Sequence, residues 1–188
     1  MNDERENERK AATQAQDSGA MADAGALRSG VEAARDGMRR AGEANPESRV
    51  REAVRRWAEG IQKKNAEEVL GCVGISSVRF LLAPPLQADM PLLDNLEAWF
   101  ETFEGEIGYE VRGLAVHVAS GVAYAHGFAH LTGRKKDGRY VDLWFRFTLG
   151  LLKAHEEWKI AHMHESVPFL MDGTERAVLH LLPPVSTP

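Results

Sequence analysis

The chain has 188 residues, a formal net charge of −5 and an apolar fraction of 44%. That suits one cored domain with extensions, and it lacks the basic excess expected of a nucleic-acid partner. No apolar run approaches the ~18 residues of a membrane span, and the opening MNDERENERK has no hydrophobic segment behind it, so neither a membrane partner nor a secretory signal is expected.

Residues 1–45 are rich in Ala, Gly, Asp, Glu, Arg and Gln and contain no Phe, Tyr or Trp, with Met21, Leu27, Val31 and Met38 standing singly. Such a segment buries too little surface to offset its ordering entropy, which predicts a disordered tail with transient helix. A partner-binding segment is the alternative. Asn45 then suits an N-cap and Pro46 the first helical position, and Val50, Val54, Trp57, Ala58 and Ile61 recur at helical spacing. Asn65 can cap a short second helix ending near Gly71. The lone cysteine, Cys72, cannot form an internal disulfide, which fits a reducing cytoplasm. Its neighbours Val69, Leu70 and Val73 predict a buried, inert thiol.

Residues 77–82 read as a strand stopped by Pro84 and Pro85. Asp94 can cap a third helix whose Leu96, Trp99, Phe100 and Phe103 face inward and whose end is Gly105. Tyr109 and Val111 then alternate on odd positions, but Leu114, Val116 and Val118 on even ones, with Gly113 at the switch as in a β-bulge. Ser120-Gly121 turns the chain into a strand over 122–132, and residues 133–138 make the next turn.

A hairpin over 140–169 follows. Asp142, Trp144, Arg146 and Thr148 alternate with Leu143, Phe145, Phe147, Leu149 and Leu151. In the second arm Trp158, Ile160, His162, His164 and Ser166 share one parity, and Lys159, Ala161, Met163 and Glu165 the other. Period two over this length means strands. Neither arm has a plainly solvent face, so both faces are expected to be covered, one by helices and the other by a partner subunit. A bulge in the turn over 154–157 would change the parity between the arms and bring Arg146, His162 and His164 into the pocket. Residues 172–182 read as a short helix stopped by Pro183 and Pro184. Helices followed by long antiparallel strands predict an α+β class, a curved, mostly antiparallel sheet around N-terminal helices with a pocket between them.

The residues resemble the SnoaL-like, ketosteroid isomerase-like branch of the nuclear transport factor 2 superfamily. The features that carry the resemblance are Trp57 and Asn65, APPL at 83–86, WF at 99–100 and VAYAH at 122–126. They continue with D-x-W-x-R-x-T at 142–148 and W-x-x-x-H-x-H-x-S-x-P-F at 158–169. The resemblance implies a cone-shaped domain over 46–182, with a tail at 183–188. It covers isomerases, cyclases, dehydratases and plain dimerisation modules, so it does not by itself assign a function.

A steroid isomerase of the familiar type uses a Tyr and a protonated Asp as oxyanion donors with an Asp base. By the resemblance those positions fall near Trp57, Leu143 and Ala83-Pro84, which excludes that chemistry here. The resemblance instead implies that Tyr124, His126, Phe128 and His130 face the concave side, with Phe145, Phe147, Met163 and Glu165, and with Trp57 and Trp99 on the helix side. His126, His130 and Glu165 are then the candidate general acids and bases, since imidazole titrates near neutrality and burial raises a carboxyl. Core histidines bonded to backbone are the other reading. Trp144, Arg146, Thr148, Trp158, His162, His164 and Ser166 are expected on the convex face, in a homodimer interface. The spacing of His162 and His164 suits a metal, but no third ligand is evident, and no metal is expected. Gly-rich phosphate loops, a nucleophile elbow and a Cys-His pairing are absent, so no cofactor is expected. The expectation is a cytoplasmic homodimer that binds a small, largely apolar molecule, with or without acid/base chemistry. A non-catalytic association module is the rival.

Overall fold

The computed structural model describes residues 45–184. The tail expected over 1–45 lies outside the described residues except for Asn45, as do residues 185–188 of the C-terminal one.

Helix α1 (Pro46–Gln62) begins where the cap signals put it. The Asn45 Oδ1 accepts from the Glu47 N–H at 3.1 Å, and Pro46 has no N–H to leave unpaired. Its apolar stripe, Val50, Val54, Trp57, Ala58 and Ile61, is buried. Asn65 caps α2 (Ala66–Gly71), accepting from Glu68 N–H at 3.0 Å. The two helices pack closely at Gly60, where an added Cβ would lie 2.9 Å from Val69 Cγ2. Cys72 is buried just beyond, and burial raises its thiol above the ordinary value, which suits an inert role.

Helix α3 (Leu93–Glu101) departs from expectation at both ends. Leu92 stands at the N-cap with no side-chain bond, and Asp94 sits inside the first turn. The helix stops before Gly105 because Phe103 already opens a strand.

The strands are β1 (Val73–Phe80), β2 (Ala88–Asp89), β3 (Phe103–Ala119), β4 (Val122–Lys135), β5 (Tyr140–Ala154) and β6 (Glu157–Ser166). They form one curved six-stranded sheet in the order β2-β1-β6-β5-β4-β3. All neighbours are antiparallel except β1 and β6. Strand β1 starts at Val73 rather than at residue 77, and β4 runs on to Lys135. The irregularity expected at Gly113 is present: the register of β3 on β4 shifts between Arg112 and Ala115, with Gly113 at φ +60°.

The β5–β6 turn holds no bulge. His155 and Glu156 both have positive φ, +47° and +69°, which suits the right-handed twist of a tight hairpin. The bulge lies further on, where Leu151 pairs with Ile160 and Gly150 with His162, leaving Ala161 unpaired. Residues 172–182 form no helix. Gly173 and Glu175 have positive φ, and Leu170 and Val178 N–H groups donate to the Arg176 and Pro168 carbonyls, closing a small irregular hairpin.

Helices therefore cover one face of a curved open sheet, the expected α+β arrangement. The core lies between that inner face and α1, with Phe103, Ile107, Phe147, Leu149, Leu151 and Ile160 fully buried.

Candidate functional site

The inner face is set by β5, where Phe145, Phe147, Leu149 and Leu151 are all buried, as their alternation predicts. In β6 the unpaired Ala161 changes the parity. Trp158 and Ile160 face inward before it, and Met163 and Glu165 after it, opposite Leu149 and Phe147. Trp158, expected at an interface, is thus a core residue.

Strand β4 overturns a second expectation. Its inward positions are Ala123, Ala125, Gly127 and Ala129, three of them essentially inaccessible. Tyr124, His126, Phe128 and His130 point outward and lie beside Gly150, Thr148, Arg146 and Trp144 respectively. The physical reason is volume. An added Cβ at Gly127 would meet the Arg112 carbonyl oxygen at 3.0 Å and Phe147 Cζ at 3.3 Å. The aromatic rings of β5 occupy the space above β4, so β4 must be small there. His126 and His130 therefore do not share a site with Glu165.

Four of the expected pocket residues do meet inside: Trp57, Phe145, Phe147 and Met163. Trp99 is partly buried at the margin, packed on Phe100 and Phe103 at 5.2 and 5.4 Å, rather than on Trp57. Tyr109, which the sequence reading noted only for its alternation, stands at the centre of the cluster. It is edge-on to Trp57 at 5.3 Å and to Phe145 at 6.2 Å. Its hydroxyl is buried with no hydrogen-bond partner. The available signal was a Tyr on the apolar parity of β3, in line with Ile107 and Val111.

Glu165 is the chemically distinctive residue of this interior. Its carboxyl is pushed up to about 7, chiefly by burial. A hydrogen bond from the Leu82 backbone and the charge of Arg79 work against that rise. The residue keeps some accessible surface although protein surrounds it. Arg79 is itself held in place, its Nε donating to the Asp89 carbonyl at 2.8 Å, which ties β2 to the site. Burial and the nearby Glu165 charge both raise the Tyr109 phenol, so it stays protonated. A carboxyl that titrates near neutrality beside an unpaired phenol can exchange a proton and donate a hydrogen bond.

The outer face has a different character. His117, Tyr124 and His126 form a stacked row, with neighbouring centroids at 4.6 and 6.1 Å. His130 stacks on Trp144 at 4.3 Å and its Nε2 lies 2.7 Å from Asp142 Oδ1, while Arg112 caps the Trp144 ring at 4.9 Å. Arg146 Nε donates to Ser166 Oγ at 2.8 Å. His162 and His164 both meet Phe80 edge-on. Trp144, Arg146, Thr148, His162 and His164 thus share one face, with the β4 residues added. Among the described residues no group of three or more His, Cys, Asp or Glu is placed to hold a metal, and no helix is long and apolar enough to cross a membrane.

Residues 50–170 match the SnoaL-like domain family. No curated protein matches the chain. Among solved structures, a nuclear transport factor 2-like protein of unknown function from Pseudomonas putida KT2440 is 25% identical. It superposes with a TM-score of 0.61, over 73% of this chain and 96% of its own. A candidate dehydratase of that family from Streptomyces avermitilis (13% identity, TM-score 0.56, 63% and 93% covered) shares the fold. So does a ketosteroid isomerase-like protein from Erwinia carotovora atroseptica SCRI1043 (15%, 0.54, 66% and 97%). The family match over the same strands that build the inner and outer faces settles the kinship: this chain, with a fold like that of the nuclear transport factor 2-like protein named above, belongs to the SnoaL-like domain family.

Proposed function

We propose that the interior beneath α1 binds a small, largely apolar molecule and that Glu165 exchanges a proton with it, in cofactor-free isomerase-, cyclase- or dehydratase-like chemistry. The observation that carries this reading is Glu165 itself, a carboxyl opposite Phe147 that burial brings to about 7. A group with that pKa is populated in both forms near neutral pH, which is what a general acid or base needs. Tyr109 supplies a hydrogen bond to an oxygen of the ligand, and Trp57, Phe145, Phe147 and Met163 supply apolar contact. The solved relatives named for isomerase- or dehydratase-type activity make that reaction class the natural one to try.

The test is a thermal-shift screen of the full chain against steroids, polyketide-like aromatics and short carboxylic acids, followed by turnover assays. A ligand at 100 times its Kd adds about 2.7 kcal/mol of stability. Glu165→Gln is expected to keep binding and to lose turnover by at least about 100-fold. Full turnover in that variant would sink the reading.

A second reading is favoured by one observation: the outer face leaves Tyr124 49% exposed in a row of stacked rings on the same face of the sheet as Trp144 and Arg146. Aromatic and Arg side chains anchor protein interfaces. A second copy of this chain is the proposed occupant, with Trp144, Arg146, Thr148, His162 and His164 at the contact. If Trp144→Ala and Arg146→Ala convert a dimer to a monomer while the ligand screen stays blank, the chain is an association module without chemistry.

A further inference from the structure

Away from the interior site, a cleft of about 650 Å³ opens where the first turn of α1 meets the β3–β4 turn and the β5–β6 hairpin. Arg49 comes from α1, Ser120 and Gly121 from the β3–β4 turn, and Lys153 and Trp158 from β5 and β6. Two features are unexplained by folding alone. Trp158 walls the cleft, is only 6% exposed, and its indole Nε1–H is buried with no acceptor. A buried donor left unpaired is costly, and it becomes satisfied when an acceptor arrives. In addition, Arg49 and Lys153 converge on one oxygen, Glu156 Oε2, at 3.5 and 2.8 Å.

Glu156 is a tethered carboxylate at that convergence. It sits at the tip of the hairpin with φ +69° and 71% of its side chain exposed, so solvent competes for it and it is weakly held. The end of α1 adds a partial positive charge, although Asn45 already takes the Glu47 N–H. Two cations, an orphan indole donor and an exchangeable carboxylate make a cradle for an oxyanion.

We propose that this cleft binds an oxyanion, a carboxylate or a phosphate group, between Lys153 and Arg49 with the Trp158 indole N–H as a further donor. The incoming group displaces the Glu156 side chain. Trp158 also belongs to the core cluster, but none of Glu165, Tyr109, Trp57, Phe145, Phe147 and Met163 lines the cleft, so the proposal stands apart from the reading of that interior.

Four indole N–H signals are expected in a nitrogen-correlated spectrum of the full chain, one for each tryptophan. Trp158→Phe identifies the relevant one. Sodium phosphate and sodium acetate are titrated separately, with ionic strength held constant by sodium chloride. The expected result is a saturable shift of the Trp158 signal with a dissociation constant in the range of about 1–10 mM. Saturation by phosphate alone identifies the phosphate source, and by acetate alone the carboxylate. Lys153→Met is expected to weaken binding by about tenfold. Glu156→Gln, which removes the competitor, is expected to tighten it by about two- to fivefold. A signal that does not move, moves equally in chloride, or still saturates normally in Lys153→Met overturns the proposal. Should Trp158→Phe not fold, titration calorimetry of the unaltered chain against the surface variant Lys153→Met reads the same contrast.

Discussion

Along β4 the inner positions are Ala123, Ala125, Gly127 and Ala129, and the outer ones are Tyr124, His126, Phe128 and His130. On the adjoining β5 the balance reverses: Phe145, Phe147 and Leu149 lie within, and Trp144, Arg146 and Thr148 without. Volume is therefore shared between neighbouring strands. The inner face is a packed apolar layer with one anomalous acid, and the outer face is a layer of rings, imidazoles and guanidiniums. The comparison teaches that size does not tell which way a strand residue points. The inner side of β4 carries the small residues because its neighbour carries the large ones.

Five substitutions would break or sharpen that contrast. The largest effect is expected at Phe147, which is buried and fills the space over Gly127. Phe147→Ala should cost about 3–5 kcal/mol in a urea titration, whereas Phe128→Ala, on the other face of the sheet, should cost less than about 1 kcal/mol in the monomer. Equal losses would mean that the faces are not distinct.

Glu165 comes next. A carboxyl raised from 4.5 to about 7 keeps, in the folded state, a proton that the unfolded chain has lost. Its contribution to stability therefore falls as pH rises between those two values, and the penalty is complete above the upper one. Glu165→Gln removes this dependence and should be more stable than the parent by about 3 kcal/mol at pH 8, with little difference at pH 4. Paired melts across that range check the sign, and a parent protein that gains stability on going from pH 5 to pH 7 at this residue's expense would reverse the assignment.

Gly127→Ala is expected to cost about 1–3 kcal/mol, because the new methyl is caught between the Arg112 carbonyl and the Phe147 ring. A chemical denaturation midpoint measures it. The smallest expected change in folding free energy is at Trp144, stacked on His130 and capped by Arg112 but open on its outer side. Trp144→Ala should lower monomer stability by about 1 kcal/mol or less, while light scattering of parent and variant tests the proposed pairing through this face.

Some features were legible in the residues because the signal was local. Asn45-Pro46 and Asn65 announce helix starts through a single hydrogen bond each, and Gly113 marks a parity change visible in its own strand. The alternation of β5 was equally plain, since its two faces differ in polarity. Other features depend on neighbours. Strand β4 alternates small with large, and only the rings of β5 decide which set is buried. In β6 the run Trp158, Ile160, His162, His164 alternates without interruption, so the unpaired Ala161 leaves no trace in the pattern. That is why the alternation puts Met163, Glu165, His162 and His164 on the faces they occupy but Trp158 on the wrong one, while on β4 it is His126 and His130 that are misplaced. Tyr109 was overlooked because a lone phenol on an apolar parity resembles ordinary core, and its missing partner exists only in three dimensions.

The unpaired Ala161 also bears on how such a protein changes over time. It lets a ten-residue strand present Trp158 and Ile160, then Met163 and Glu165, to the same interior. If Ala161 instead paired with Gly150, the second half of the strand would slip by one residue, bringing His162 and His164 inward and sending Glu165 to the other face. An acid-bearing and an imidazole-bearing interior then differ by one register step of β6 on its neighbours β5 and β1. A substitution that favours the paired over the bulged form at residue 161 would thus exchange the titratable group presented to the interior while altering neither Glu165 nor the histidines.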